Sequence, residues 1–436
     1  MSGDEATTLG DALARLLARS QSGGPAELPG LVREAARGLG ADGARILLSD
    51  VQQRQLVPLT GPAEDTGGGG SDGSGGSGGS DGSDGSGGSG GSGGADATAD
   101  DTDDGRLDIE GTLGGRAYRL QQTQLSSGSP PVGWFPLVDG VERIGVLRVE
   151  GGATDRRAVR DHEALAALTA LLVVSKSSYS DVIVDVRRRE RMSLQAEMLW
   201  AFLPPRTIGT RDVTSSAVLE PAYDVGGDAF DHSVARGNLH ISVFDAMGHD
   251  LASGGASSVA LAACRSTRRA GGGLADIARA IDSTLARWIP DRLLTALVAD
   301  LDTTTGELSW VNCGHPPPLL VRDRRIVPEA LHRRAELPLG LGFHLEGEQP
   351  VHHARLQPGD RVLVHTDGVT EARSTTGELF GEDRLADILV QHMAGGEPAP
   401  EALRHLIHAL VTHQDHQLRD DATILLAEWH PHRPGP

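Results

Sequence analysis

An α+β protein of two domains is what this sequence predicts, and three observations carry that expectation. At 436 residues the chain is too long for one ordinary hydrophobic core. Apolar residues alternate in runs such as Leu239, Ile241 and Val243, the two-residue period of half-buried strands. Between such runs lie helix-length stretches, for example LPGLVREAARGLG and DHEALAALTALLVVS. Hydrophobic content is 38%, depressed by 58 glycines, which fits a globular chain carrying a low-complexity segment.

Charge and cysteine usage exclude several functional classes. The formal net charge is −20, which argues against nucleic-acid or anionic-membrane partners, because both need a basic surface. Two cysteines, Cys264 and Cys313, give neither a disulfide framework nor a metal-ligand spacing, and fit a reducing cytoplasm. The opening MSGDEATTLGD lacks the basic region of a signal peptide. The apolar run at 166–174 falls well short of the ~18–20 residues needed to span a bilayer. A cytoplasmic protein with no membrane segment is the expectation.

The first half reads as a short N-terminal helix (1–24) and one small domain (25–178). A helix at LPGLVREAARGLG is followed by strands at ARILLSD and RQLVPL. Residues 67–94 hold only Gly, Ser and Asp, with ADATADDTDD after them, so 66–104 cannot bury enough apolar surface to offset its chain entropy. Neither flank has enough strands for a sheet of its own, so the tract reads as an insertion in a surface loop, which costs little stability. Beyond it come a strand at RLDIE, a helix at TLGGRAYRLQQTQ, and a hairpin whose turn signal is Asp139-Gly140. This element order, with GVLRVEG and DHEALAALTA, resembles a GAF domain, a small sensory α/β module. No cysteine is placed for bilin attachment and no motif picks out a cyclic nucleotide, so the resemblance implies either a ligand sensor or a relay module with an empty pocket.

From 161 to 203 the chain reads as helical. Leu165, Leu168, Leu172, Tyr179, Val182 and Val186 follow a 3–4 spacing that suggests a coiled-coil seam, weakening at Arg189 and Ser193. Residues 179–205 are therefore expected to be a connecting signalling helix ending at Leu203, before Pro204. That leaves open a homodimer through the first domain and this helix, or a connector packed on its own domains.

Chemistry concentrates in the second half. YDVGGDAFD places Asp228 after a Gly-Gly turn, ISVFDAMGHD ends a strand on Asp245, and GDRVLVHTDGVTEA ends another on Asp367. LRDDATILLAEW sets Asp420 and Asp421 just before a strand. A lone Asp-Gly after a strand is usually a turn, but neighbouring strands would crowd these carboxylates at one sheet edge. Crowded like charges need protonation or a cation. Oxygen-only ligands favour Mg²⁺ or Mn²⁺, and two such ions ~3.5–4 Å apart can activate a shared water for attack on a phosphoester. GGDAF superficially resembles a diguanylate cyclase signature, but that signature's glutamate is absent and the element order differs.

Residues 192–430 resemble the SpoIIE-like branch of the metal-dependent protein phosphatases, the protein phosphatase 2C superfamily. The resemblance lies in LWAFLPP, EPAYDVGGDAFD, ISVFDAMGHD, LLTALVADLDTTTGELSWVNCGHPPPLLV, LPLGL, PGDRVLVHTDGVTEAR, GELFGEDRL and RDDATILL. It implies a phosphatase domain over 206–430, with 431–436 as a tail, built as a four-layer αββα sandwich of two antiparallel sheets. It also implies two divalent cations, Mn²⁺ or Mg²⁺, and hydrolysis of phosphoserine or phosphothreonine on a protein of the anti-sigma-factor-antagonist type. Asp245 would bridge the ions beside the backbone carbonyl of Ala246. Asp367 and Asp420 would bind the second ion, with Asp421 competing for the place of Asp420. Asp228 would hold water on the first ion or ligate it, and Gly227 would allow close backbone approach. His249 is either a general acid or a polar residue fixing the turn. Two departures, Asp250 where the branch has glycine and Cys313 where alanine is common, remove no ligand. Asp250 either adds charge near the site or faces solvent, and His315 with its prolines reads as turn architecture. The competing class is a catalytically weak phosphatase-fold regulator that acts by binding a partner.

Overall fold

The computed structural model describes residues 8–61, 105–152, 154–344, 349–415 and 418–431. The expected Gly/Ser/Asp insertion, 66–104, lies outside the described residues, as does nearly all of the tail. The chain divides into two compact units, one running to Arg187 except for 140–143, and the other comprising 140–143 and everything from Arg188.

The first unit runs α1 (Leu9–Ser22), α2 (Leu28–Gly38), β1 (Gly43–Ser49), β2 (Gln55–Pro58), β3 (Leu107–Asp108), α3 (Leu113–Leu120), β4 (Gln124–Leu125), β5 (Val132–Asp139), β6 (Glu142–Glu150), α4 (Arg156–Ser177) and α5 (Asp181–Arg187). Its six strands form one sheet in the order β3-β2-β1-β6-β5-β4. Alternation along β1 explains the nearly continuous apolar run there. Ile46 and Leu48 join a core with Leu28 and Val32 of α2 and Leu165 and Val173 of α4. Leu47 joins a separate cluster with Tyr118 of α3 and Trp134 of β5. Leu16 of α1 belongs to the first core, so the N-terminal helix is part of this unit and not an appendage to it. The hairpin turn falls at Gly140, whose φ of +62° suits glycine.

One continuous connecting helix over 179–205 is not what forms. Helix α4 stops at Ser177, α5 bends away from it by 108°, and α6 (Leu194–Phe202) starts afresh behind a Ser193 side-chain cap that accepts from the Ala196 N–H. The break has local causes. Buried Lys176 donates its Nζ to the carbonyls of Ser20 (2.7 Å) and Gly23 (2.9 Å). Ser177 and Ser178 donate their hydroxyls back to the carbonyls of Val174 and Ser175, a habit that disfavours helix continuation. Leu165 and Leu172 of the expected seam are buried in the first unit's core and Leu168 and Val186 pack against it, while Tyr179 and Val182 are exposed. The helical spacing holds from Leu165 to Leu172, within α4, and the apolar face there has an intramolecular partner. The stop before Pro204 does occur, with Leu203 in extended conformation (ψ 141°).

In the second unit, α6 precedes β7 (Thr207–Gly209), β8 (Val213–Glu220), β9 (Asp228–Ala235), β10 (Asn238–Ala246), α7 (Leu251–Arg269), α8 (Leu274–Trp288), β11 (Leu294–Asp302) and β12 (Glu307–Cys313). Then follow β13 (Leu319–Arg322), β14 (Arg325–Val327), β15 (His352–Arg355), β16 (Arg361–His365), α9 (Asp367–Thr370), α10 (Gly381–Ala394), α11 (Ala399–His413) and β17 (Ala422–Trp429). One sheet has the order β15-β12-β11-β10-β9 and the other β14-β13-β16-β17-β8-β7; every recorded pairing within them is antiparallel. Period-two alternation sorts the cores. Val218, Leu363, Ile424 and Leu426 pack with α10 and α11. Their neighbours Ala217, Leu219, Val362, Val364 and Leu425 join a cluster with Leu239, Ile241 and Val243 of the other sheet, extended by α7 and α8. Asp245 continues the Leu239–Ile241–Val243 face, so it emerges where that core meets the strand ends.

Candidate metal centre

Two strand ends and two strand-edge turns supply the acidic residues. Asp228 opens β9 and lies directly across from Asp245 on β10. Asp367 opens the single-turn α9 immediately after β16, and Asp420 and Asp421 immediately precede β17. Since β16 pairs with β17 from Arg361–Glu428 to His365–Ile424, both turns fall at the same end of that sheet. Glycines let the turns close. A Cβ on Gly227 would stand 2.4 Å from the Ala246 oxygen and 2.8 Å from that of Gly248, and one on Gly368 would stand 1.9 Å from the Asp421 oxygen.

Four of these carboxyls, Asp228, Asp245, Asp420 and Asp421, are held above their ordinary values, with burial the first cause of each. Burial, and then the charges of Asp245 and Asp421, hold Asp228 well above the carboxylate range. Asp245 is pushed up to about 7 by burial and then by Asp367, Asp420 and Asp421. Burial also raises Asp420, with Asp367 contributing. At Asp421 burial outweighs the bonds its carboxylate receives.

Hydrogen bonding gives each aspartate a different task. Asp421 Oδ2 accepts from the backbone N–H of Gly226 (2.8 Å), Gly227 (2.6 Å) and Asp228 (3.1 Å). That oxygen is spent on holding the glycine turn. Asp420 stays exposed, with Asp367 and His249 as electrostatic neighbours. The alternative that the bare sequence leaves open therefore tilts to Asp420 as ligand. Asp228 is 2% exposed and its Oδ2 accepts from the Thr366 hydroxyl at 2.8 Å. Thr366 Oγ1 in turn accepts from the Thr423 N–H at 2.9 Å, which ties the Asp367 turn to β17. Sequence reading passed over Thr366; its signal was a hydroxyl immediately before the turn aspartate. His249 is exposed beside Asp420.

Asp250 adds no free charge to the cluster. Its Oδ1 caps α7 by accepting from the Ser253 N–H (2.9 Å), and its Oδ2 accepts from Arg292 Nη2 (2.7 Å). Those bonds, the Ser253 cap first, hold its pKa at about 2. The cysteines are chemically quiet: burial pushes the thiols of Cys264 and Cys313 up to about 12, so neither supplies a thiolate at neutral pH.

The donor set is carboxylate oxygen with the Ala246 carbonyl nearby, which fits a hard divalent cation such as Mg²⁺ or Mn²⁺. A second gathering, His392, Glu397 and His405, fits less well. Its two rings stack 7° from parallel with centroids 4.2 Å apart, so their in-plane lone pairs run alongside one another instead of converging.

Aspartates grouped at the ends of antiparallel strands, with no ionised thiol beside them, define a divalent-metal type of site. Comparison with known proteins bears on the same segment. The family model Stage II sporulation protein E (SpoIIE) matches residues 235–430, which span all of these aspartates except Asp228. Phosphoserine phosphatase RsbU of Bacillus subtilis is 23% identical over 211 residues, 48% of this chain and 61% of that protein. Protein IcfG of Synechocystis is 29% identical over 126 residues, 29% of this chain and 19% of that protein. The matches thus span about three fifths and one fifth of those relatives. Among solved structures, the RsbU and RsbW domains of Rv1364c from Mycobacterium tuberculosis align at 24% identity and TM-score 0.45, covering 52% of this chain and 63% of that one.

Proposed function

We propose that the second unit is a metal-dependent protein serine/threonine phosphatase acting on a small phosphorylated regulator of the anti-sigma-factor-antagonist type. The observation that carries this reading is the convergence of Asp228, Asp245, Asp367, Asp420 and Asp421 from four separate segments. Asp245, Asp367 and Asp420, with the Ala246 carbonyl, would hold two divalent cations, Mn²⁺ or Mg²⁺. Bound there, such ions offset phosphoryl charge and make water nucleophilic near neutral pH.

The chain's own residues do the rest. Asp421 pins the Gly226–Asp228 turn by its three backbone bonds, and Thr366 fixes the buried Asp228 carboxylate. His249, beside Asp420 and open to solvent, would donate a proton to a departing seryl oxygen. The packing of one sheet on α10 and α11 and of the other with α7 and α8 supports reading the unit as the αββα sandwich that the resemblance implies. The first unit is read as a GAF-like sensory module. Its influence would pass through α6, which lies against the helix following the metal turn: a Cβ on Gly254 of α7 would stand 3.0 Å from Gln195 Cβ and 3.2 Å from the Gly226 oxygen. A shift of α6 would move the turn that positions Asp228. Among the described residues no single helix is long and apolar enough to cross a membrane.

The test is hydrolysis of p-nitrophenyl phosphate and of a phosphoserine protein with Mn²⁺, comparing wild type with Asp245→Asn and Asp367→Asn. Loss of turnover by at least a hundredfold in both variants is expected. Persistent turnover in both would reject the metal assignment, and an inert wild type would favour a partner-binding regulator.

A further inference from the structure

Three backbone segments lie side by side at the metal end of the β15-β12-β11-β10-β9 sheet. Leu294 faces Ala246 in the β10–β11 ladder, and Leu294 and Leu339 exchange backbone N–H to carbonyl bonds of 3.0 and 2.8 Å. Beside them the Met247 N–H donates to the Leu293 carbonyl at 3.0 Å. Gly340 comes so close that a Cβ on it would stand 2.2 Å from the Arg292 oxygen. Residues 337–344, LPLGLGFH, are thereby moored next to the turn that follows Asp245.

An unusual amount of buried polar structure fixes this segment. Asp282 of α8, fully buried, commits both carboxylate oxygens to it. Its Oδ1 accepts from the N–H of Gly340 (2.7 Å) and Gly342 (3.0 Å), and its Oδ2 from the His344 N–H (2.8 Å). The buried His344 ring donates from Nε2 to the Leu337 carbonyl at 2.7 Å, closing the segment on itself. Held this way, Leu339 is buried while Leu337, Leu341 and Phe343 stay 55%, 47% and 53% exposed. Met247, on the adjoining segment, is exposed as well. Large apolar side chains grouped in water mark an interaction site, and here a buried carboxylate keeps their backbone from rearranging.

We propose that this rim is the docking surface for the protein substrate, and that it takes an apolar face of that substrate lying beside the phosphoserine. The inference rests on the phosphatase reading and adds what the site selects. Position names the occupant first. The rim adjoins the Ala246 carbonyl, so a protein whose phosphoserine reaches the aspartates lays its neighbouring residues over Met247 and Leu341. Charge gives the second argument. A phosphoserine brings a charge of about −2 to a chain whose own net charge is −20. Residues 337–343 carry no ionisable side chain, and Arg292, against Gly340, is paired with Asp250 at 2.7 Å. Attraction along the rim therefore comes from apolar contact. A second copy of this chain would bring another −20 and no phosphoryl group for the metal site.

The test uses the full chain with Mn²⁺ and three substrates. These are p-nitrophenyl phosphate and two phosphoserine peptides of equal length and charge, one flanked by Leu and Val, the other by Ser and Gly. Wild type is expected to favour the apolar peptide about tenfold or more in kcat/KM. Leu341→Ser and Phe343→Ser change exposed side chains on which folding depends little. Each should raise KM for the apolar peptide about tenfold at unchanged kcat, the signature of lost ground-state binding. Both should leave p-nitrophenyl phosphate and the polar peptide at wild-type rates, and the double variant should erase the preference. Equal kcat/KM of wild type on the two peptides overturns the inference, as does a preference that survives the double variant, or a parallel loss on p-nitrophenyl phosphate. A wild-type dimer that the double variant breaks up, with the peptide preference unmoved, assigns the face to self-association and also overturns it. A wild type inert on all three substrates defeats the phosphatase reading, and this inference with it.

Discussion

Replacing Gly227 with alanine is the sharpest single perturbation of the site, because it adds one carbon and removes no ligand. That carbon would stand 2.4 Å from the Ala246 oxygen and 2.8 Å from the Gly248 oxygen. Ordinary carbon–oxygen contact begins near ~3.3 Å, so the two chains must part by about 0.5–1 Å. Neither can yield freely. The Gly227 N–H is held by Asp421 at 2.6 Å, and the Gly227 carbonyl accepts from the buried Ser257 hydroxyl. Overpacking of this kind costs about 1–3 kcal/mol, a fall of roughly 2–12 °C in the melting temperature of a unit this size. The larger effect falls on function, since a ~1 Å misplacement of a reacting group can cost ~10²-fold in rate. The assay is a Mn²⁺ titration of phosphoserine hydrolysis with melting followed in parallel. A variant that melts a few degrees lower yet keeps wild-type metal dependence and turnover would refute the claim that this turn sets the site's geometry.

Other expectations follow from the same geometry. Asp420→Asn should lose turnover by at least ~100-fold, whereas Asp421→Asn, which keeps an oxygen for the three backbone donors, should lose less than ~10-fold; equal losses would reverse the ligand assignment. Asp245 has a raised folded pKa of about 7, so the metal-free protein is favoured below the unfolded value of ~3.9 and loses that contribution as pH climbs through 7. Without metal, Asp245→Asn should therefore melt higher than wild type at pH 7.5 and by much less at pH 5, while Mn²⁺ should raise the melting point of wild type alone. Asp231, nearly fully buried, is paired with Arg265 (2.6 Å) and Arg268 (2.9 Å); burial raises its pKa, but the two arginines more than offset this and leave it lowered. Asp231→Ala should destabilise the unit by about 3–5 kcal/mol in chemical denaturation, and the wild-type advantage should fade as pH drops below the usual carboxylate range. Alkylating reagents should leave Cys264 and Cys313 unmodified in the folded protein, because burial holds both thiols protonated.

Much of the site was legible because strand period and turn chemistry are local. The run Leu239, Ile241, Val243 puts Asp245 on the same face two residues on, while Asp367-Gly368 is marked as the turn that breaks the strand of Val362 and Val364. The choice between Asp420 and Asp421 was not legible. It depends on which carboxyl meets the Gly226–Asp228 amides, nearly two hundred positions away in the chain. Thr366 is hidden for a related reason: a hydroxyl carries no periodic signal, and its partners Asp228 and Thr423 become visible only in register. The connector shows the reverse failure. Leu165 and Leu172 declare an apolar stripe, but a stripe does not say whether its partner is a second chain or the sheet beside it. Lys176, bonded to Ser20 and Gly23, and the serines after it end the helix through contacts that spacing does not encode. Five of the first unit's six strands are legible as apolar runs bounded by turn signals, whereas β4 (Gln124–Leu125) falls at the end of the run TLGGRAYRLQQTQ that reads as helix.

Anomalous diffraction from crystals grown with Mn²⁺ tests the central claim most directly. Two Mn²⁺ peaks are predicted, both touching Asp245, with Asp367 and Asp420 on one of them and Asp421 still bound to the Gly226–Asp228 amides. Crystals in saturating Mn²⁺ that show no ion among these residues, with the carboxylates pointing apart, would contradict it.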